Sequence, residues 1–118
     1  MYAREWKCKV PQEKSEGFIS YLYETGVRET SLTPGYRGAQ IFRREIDGKA
    51  EITLITYWET LLSIEAFAGK DIGRAKLYPE DYKYDLEPDL TVRHYEVVEQ
   101  SFSSELILPA VYPRKGKS

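Results

Sequence analysis

The sequence predicts an α+β domain of the ferredoxin-like class, with a four-stranded antiparallel sheet and the chain order β-α-β-β-α-β. Three observations lead to this prediction. Strand-like segments stand at both ends of the first hundred residues, helical spacing follows the first strand, and an Asp-Gly pair joins two further strands in the middle. The chain has 118 residues, which is enough for one domain with its own hydrophobic core.

The first predicted strand spans residues 2–10, because its side chains alternate in character. One face carries Glu5, Lys7 and Lys9, and the other carries Tyr2, Arg4, Trp6, Cys8 and Val10. Pro11 suits the first position of a helix, where a missing N–H costs no hydrogen bond. Apolar residues near 3.6-residue spacing then predict an amphipathic helix over 12–30, with Gly26 weakening its last turns.

Residues 33–59 are predicted to form a turn and a β-hairpin. The Pro-Gly pair of "TPGY" (33–36) predicts the turn. The two strands are "YRGAQIFRREI" (36–46) and "AEITLITYWE" (50–59). Asp47 and Gly48 between them form a dipeptide that favours a tight hairpin turn.

The second helical region is predicted in pieces over 60–84. Thr60 is the expected N-cap of a short helix, and Gly69 is its expected C-terminal stop. Asp71 is expected to cap one more turn through residue 77. Pro79 suits the start of a last piece in "YPEDYKY" (78–84), and the last strand is predicted at 90–99.

Residues 1–100 are therefore expected to form the domain, and residues 101–118 are expected to form a C-terminal tail. Pro109 excludes a central strand in the tail, because proline cannot donate to a sheet. We expect the tail to dock on the sheet edge or on the partner subunit. Its apolar residues are Leu106, Ile107, Leu108, Val111 and Tyr112.

Composition excludes several classes of function. The net charge of −2 provides no basic surface for nucleic acid. No apolar run approaches the roughly 18 residues of a membrane span. Cys8 is the only cysteine and His94 the only histidine, so no residue spacing indicates a metal site. The single cysteine favours a reducing, cytoplasmic setting.

A four-stranded sheet with helices on one face leaves its other face uncovered. An apolar or aromatic sheet face has to be buried against something. The chain is rich in aromatic residues, which make up 14% of it. We therefore expect a homodimer in which a second copy of the chain covers the open face through a two-fold axis.

Three segments make the chain resemble the antibiotic-biosynthesis-monooxygenase group of dimeric α+β barrels. They are "LITYWE" (54–59), "FAGKDIGRAKLYPED" (67–81) and "TVRHYEVV" (91–98), and the resemblance covers about residues 2–100. The superfamily includes cofactor-free monooxygenases acting on phenolic or quinol substrates, haem-degrading enzymes, cyclases, isomerases and many members of unknown function. The resemblance therefore implies a fold more firmly than an activity.

The resemblance also allows the haem-degrading branch to be examined. Those enzymes use an Asn on the first strand, a Trp on the helix after the third strand and a His ten residues beyond that Trp. The matching positions here are Trp6, Phe67 and Leu77, and the chain contains no Asn. The sequence also lacks the glycine-rich motifs that bind nucleotide cofactors. We therefore expect no haem degradation and no cofactor.

The cofactor-free monooxygenases of the group work in an aromatic-lined pocket between sheet and helices. There, polar groups deprotonate a phenol or hydroquinone, and the anion reacts with oxygen. The candidate pocket residues here are Trp6, Trp58, Phe67 and Tyr78, and packing in the core or dimer interface is the alternative for the two tryptophans. There are two alternatives to an enzyme. The chain could be a non-catalytic binder of a small aromatic or hydrophobic ligand, or a dimeric protein with a vestigial pocket.

His94 is the candidate catalytic residue, as a general base or as a hydrogen-bond partner of the substrate. The alternative is a structural strand histidine bonded to a neighbour. Alternation places Glu96 on the same strand face, about 7 Å away. A carboxylate at that distance is expected to hold the imidazole in one tautomer, so Glu96 joins the candidate pocket residues.

Overall fold

The computed structural model describes residues 1–103 and 106. Within these residues the strands are β1 (Tyr2–Pro11), β2 (Tyr36–Ile46), β3 (Lys49–Trp58), β4 (Glu87–Pro88) and β5 (Arg93–Glu96). The α-helices are α1 (Ser15–Leu22) and α2 (Leu61–Ala68), with a π-helix at Tyr23–Glu29 and 3-10 turns at Gln12–Lys14, Thr30–Leu32 and Asp81–Tyr84. Leu106 is exposed, and the other apolar residues predicted to dock the tail lie outside the described residues.

Strand β1 lies at the centre of one antiparallel sheet. The order is β2-β3-β1, and β4 and β5 follow one another along the other edge of β1. Strand β3 pairs with β1 along its whole length, so that Tyr2 faces Trp58 and Pro11 faces Lys49. This strand order is that of the ferredoxin-like fold, which confirms the predicted α+β class.

The last strand is shorter than the prediction of 90–99. Strand β1 pairs instead with the two short segments β4 and β5. The residues between them turn away because their backbone bonds to the preceding loop. Ala75 N donates to Leu90 O, and Val92 N donates to Gly73 O, each at 2.9 Å.

The helix predicted over 12–30 is interrupted. The α-helical part ends at Leu22 and continues as the π-helix, a widened form that is rare in proteins and frequent at functional sites. Gly26 lies in this stretch and comes very close to the sheet. A Cβ at this position would lie 2.9 Å from side-chain carbons of both Leu22 and Leu54.

The turn of helix predicted after Asp71 is wrong. Residues 71–78 form a loop, because the Arg4 guanidinium takes the carbonyl groups of Ile72 and Arg74 as hydrogen-bond acceptors. Those carbonyls are then not available to a helix. The last helical piece begins at Asp81 and not at Pro79.

The predicted hairpin and the predicted cap of α2 are confirmed. Asp47 and Gly48 have φ angles of 52° and 76°, as a tight turn of type I′ requires. The Thr60 hydroxyl accepts a hydrogen bond from Ser63 N at 3.0 Å, and Gly69 ends the helix with a φ of 92°.

The two faces of β1 have different surroundings. The side that carries Trp6 and Cys8 packs against α1 in the main hydrophobic core. Burial raises the pKa of the Cys8 thiol to about 12, so this cysteine stays protonated and unreactive. The other side carries Glu5 and Lys7 on the open face of the sheet.

Among the described residues, no helix has both the length and the apolar character needed to cross a membrane.

Gly35→Ala is expected to lower the free energy of unfolding, which denaturation by urea measures. Gly35 has a φ of +92°, and a Cβ there would lie 2.0 Å from Ser63 Oγ. The backbone conformation alone costs another residue about 1–3 kcal/mol. Gly17→Ala is the matched control, since its Cβ would make an ordinary 3.5 Å contact with Tyr84, and alanine favours a helix. Equal losses in the two variants would contradict this packing.

Candidate functional site

A small cavity lies between the sheet and the helices, on the face of β1 that carries Trp6. Its volume is about 40 Å³, which leaves room for about one water molecule. Aliphatic side chains form part of the wall. The aromatic and charged residues that line it are Arg4, Trp6, Phe67, Lys76, Tyr78 and Asp81.

Arg4 is the buried charge of this cavity. It is only 5% exposed, and it donates from Nη1 to Ile72 O at 2.6 Å and from Nη2 to Arg74 O at 3.0 Å. Its Cζ lies 5.8 Å from the centroid of the Phe67 ring. Within the part of the chain that the structure describes, no carboxylate forms an ion pair with it. Burial lowers the pKa of Arg4 to about 10, so the group is still charged at neutral pH.

His94 lies opposite Arg4 in the β1–β5 pair, and its Nε2 is 3.0 Å from Arg4 Nη1. A guanidinium can only donate, so Nε2 accepts, and the neutral ring carries its proton on Nδ1. Burial and then the charge of Arg4 lower the pKa of His94 below 6.5. The group that fixes the tautomer of His94 is therefore Arg4. Glu96 is exposed near the end of β5, opposite Tyr2, and does not line the cavity.

The structure brings three of the predicted pocket aromatics to the cavity. Trp6 forms part of the floor and donates from Nε1 to Asp89 O at 2.9 Å. Phe67 and Tyr78 approach from α2 and from the loop that follows it. Burial raises the pKa of the Tyr78 hydroxyl, which therefore stays protonated and can donate a hydrogen bond.

Trp58 does not line the cavity, although it supports a residue that does. It is fully buried and stacks on Phe67 with ring centroids 5.4 Å apart and an interplanar angle of 28°. Tyr36 packs edge-on against its other side, with centroids 5.8 Å apart. Trp58 therefore fixes the position of the Phe67 ring.

Lys76 and Asp81 reach the cavity from the segment between α2 and β4. Lys76 Nζ lies 4.5 Å from the centroid of the Phe67 ring and donates to Phe67 O at 3.3 Å. Asp81 Oδ2 accepts a hydrogen bond from Tyr78 N at 2.8 Å, and burial raises the pKa of this carboxyl above its usual 3.8. With Arg4, the lining contains two cations and one carboxylate, so it attracts anions.

Sequence patterns alone do not single out Arg4, Lys76 or Asp81 as site residues. Arg4 does leave a signal, since it is the one charged residue on the otherwise uncharged face of the first strand. Lys76 and Asp81 leave none, because their positions depend on the path of a loop. That path follows from the hydrogen bonds that Arg4 makes.

The fold is shared with solved structures of other proteins. A mutant of MhuD, solved with two manganese protoporphyrin IX molecules per active site, matches with a TM-score of 0.58 and 16% identity, over 87% of this chain and 100% of that one. A Bacillus cereus protein provisionally described as an antibiotic biosynthesis monooxygenase matches with a TM-score of 0.53 and 17% identity, over 87% and 96%. The chain thus has an antibiotic-biosynthesis-monooxygenase-like fold. No family model and no curated protein matches the sequence.

Acidification from about pH 7.5 to about pH 5.5 is expected to lower the free energy of unfolding through His94. Its pKa is lower in the folded state, so the unfolded chain takes up a proton first as the pH falls below about 6.5. His94→Gln is the control, because its amide oxygen can accept from Arg4 and does not titrate. Urea denaturation should show a smaller pH-dependent loss in the variant. Equal losses would rule out the Arg4–His94 contact as the cause.

Proposed function

We propose that the chain is a monooxygenase-like enzyme that acts without a cofactor on a small phenolic or quinol substrate in this cavity. The observation that carries the proposal is the buried guanidinium of Arg4 beside aromatic rings, with no carboxylate partner among the described residues. Burying a charge without a counter-ion costs free energy. Such groups concentrate at functional sites.

The charges around the cavity favour the anionic form of a bound phenol. A nearby positive charge lowers the pKa of an acid, and the effect grows where water is excluded. Arg4 and Lys76 supply that charge, and Asp81 compensates only part of it. The rings of Trp6 and Phe67 offer flat surfaces to an aromatic substrate.

Asp81 is the carboxylate that lines the cavity, and we assign the phenolic proton to it. The phenolate is electron-rich and reduces molecular oxygen. For a phenol with a C–H bond opposite the hydroxyl group, one phenol and one O₂ give one quinone and one water. The C–H and O–H bonds break, one oxygen atom becomes the new carbonyl, and the other leaves as water with both hydrogens. All four electrons come from the substrate, so no further reductant is needed.

His94 has a supporting role in this scheme. Its Nε2 is engaged by Arg4, and its lowered pKa keeps the ring uncharged at neutral pH. The ring therefore positions the guanidinium without cancelling its charge. His94 is a positioning residue here, in place of the general base that the sequence suggests.

The described residues do not fit the porphyrin that MhuD binds. The cavity of about 40 Å³ is far smaller than a macrocycle. The only imidazole of the chain is bonded to Arg4, so it is not aimed at a metal.

A phenol needs more room than the cavity offers, since it now holds about one water molecule. The wall that can move is the loop side. Lys76 is exposed and Tyr78 is half-buried, whereas Trp58 behind Phe67 is fully buried. Side-chain rotation at Lys76 and Tyr78 would widen the cavity and leave the sheet in place, as commonly happens when ligands bind.

We also propose that the open face of the sheet packs against a second copy to form a homodimer. Phe42 and Tyr95 lie on this face and are 48% and 47% exposed. The charged residue Glu5 already has partners there, since it accepts from Tyr95 at 3.1 Å and lies 3.7 Å from Arg93. The face therefore has apolar rings to bury and part of its charge already compensated.

Asp81→Asn is expected to lower oxygen uptake with phenols and quinols about 100-fold or more, the usual effect of losing a general base. Its amide oxygen keeps the hydrogen bond from Tyr78 N but takes no proton. Asp85→Asn is the matched control, since Asp85 is exposed and has a φ of 51°, which asparagine tolerates. An oxygen electrode measures the rates.

Two outcomes would contradict the proposed enzymatic activity. Binding of phenols without oxygen uptake would identify a non-catalytic binder, and neither binding nor uptake would identify a vestigial pocket. Equal rates in Asp81→Asn and the wild type would remove Asp81 from the mechanism.

Light scattering after size exclusion tests the dimer. The wild type is expected at twice the 13.7 kDa of one chain, and Phe42→Asp is expected at one. Leu62→Asp is the control, because Leu62 is 74% exposed on α2, away from the open face. A monomeric wild type, or a dimeric Phe42→Asp variant, would contradict the proposed interface.

A further inference from the structure

The Arg4 guanidinium has donors that the protein does not use. It carries five N–H groups. Nη1 donates to Ile72 O and to His94 Nε2, and Nη2 donates once, to Arg74 O. Among the described residues, the Nε–H and the second Nη2–H are left without a partner.

At least one of these two donors is not sealed in the core. Arg4 is one of the residues that line the cavity. Within the described part of the chain, the side-chain atom that is fully buried without a hydrogen bond is Glu24 Oε2, so the unpaired Nε of Arg4 is not fully buried. A ligand in the cavity can therefore reach the Nε–H of Arg4.

The geometry of the two donors selects the chemistry of the ligand. Nε–H and the Nη2–H beside it lie on one edge of a planar group and point in nearly parallel directions. We assign the bond to Arg74 O to the other Nη2–H, which leaves this edge to the ligand. A carboxylate matches this edge with its two oxygens, which is the strongest common pairing of arginine with an anion. A single phenolate oxygen can use only part of it.

The surroundings add to this preference. Lys76 Nζ lies over the same Phe67 ring that Arg4 approaches, at 4.5 Å and 5.8 Å from its centroid. A flat ring bound against Phe67 would thus have the Lys76 ammonium near it on the loop side. The donor edge of the Arg4 guanidinium would lie on the strand side. Asp81 also lines the cavity, and its negative charge opposes the binding of an anion.

We propose that the ligand of this cavity is a small aromatic carboxylate, bound through the Nε–H and Nη2–H edge of Arg4 and by Lys76. The inference rests on the proposed function only for the location of the site, and it narrows the substrate class to phenols that carry a carboxylate. With the carboxylate on Arg4, Asp81 remains available to the phenolic hydroxyl.

Calorimetric titration of the full-length protein with benzoate and with benzamide tests the proposal. The two probes have the same shape, but benzamide is neutral. At constant ionic strength benzoate is expected to bind at least about tenfold more tightly, the usual value of a charge-assisted hydrogen-bonded pair. Equal affinities, or tighter binding of benzamide, would overturn the proposal.

Two variants separate a binding role of Arg4 from a purely structural one. Arg4→Lys keeps the charge but loses the two-donor edge, and it should reduce the preference for benzoate. Lys76→Gln, at an exposed position, should weaken benzoate about threefold or more and leave benzamide unchanged. Lys70→Gln, on the same loop and also exposed, is the control. Unchanged benzoate affinity in Lys76→Gln would count against the site even if Arg4→Lys does not fold.

The two proposals fail in different ways. Oxygen uptake that depends on Asp81, without any preference for benzoate over benzamide, would overturn the proposed carboxylate ligand. It would leave the proposed enzymatic activity intact. Benzoate binding that is tighter than benzamide binding and is weakened in Lys76→Gln, without oxygen uptake on 3-hydroxybenzoate or any other phenol with a C–H bond opposite the hydroxyl group, would support the carboxylate site and overturn the enzyme.

Discussion

The burial of one positive charge, that of Arg4, determines how the candidate site is arranged. A guanidinium that is 5% exposed has to satisfy its donors inside the protein. It does so with the carbonyls of Ile72 and Arg74, and those bonds decide the path of the loop after α2. His94 completes the set and is kept neutral by the same charge. One side chain on the central strand thus joins the sheet, the loop and the last strand.

The loop path then brings the other charged groups to the cavity. Lys76 lies in the loop after α2 and Asp81 is the first residue of the 3-10 turn that follows it, so their positions follow from the anchor at Arg4. The opposite wall is rigid for a different reason. Trp58 is buried and stacks on Phe67, and Gly26 lets the π-helix lie within contact distance of β3. The cavity therefore has one fixed wall and one wall that can adjust.

The fold was accessible from the sequence because its signals are local. Alternation in the first strand, the Asp47-Gly48 turn and the Thr60 cap each depend on a few neighbouring residues, and each is present in the structure. The errors occur where a distant residue decides. The helical turn predicted after Asp71 does not form, because Arg4 binds a backbone carbonyl of this segment. The last strand is shorter than predicted, because its backbone pairs with Gly73 and Ala75. The charged part of the site could not be predicted for the same reason, since Arg4 lies about seventy positions from the loop that it holds.

We propose that Arg4 holds an open donor edge toward an anionic ligand. A crystal structure of the protein with bound 4-hydroxybenzoate would show whether a carboxylate occupies this edge. We expect two carboxylate oxygens at about 2.7–2.9 Å from Nε and Nη2 of Arg4. We also expect the ring to lie against Phe67 and the hydroxyl group to point toward Asp81. A ligand bound elsewhere, or one whose carboxylate faces solvent while Arg4 keeps only its present partners, would contradict it.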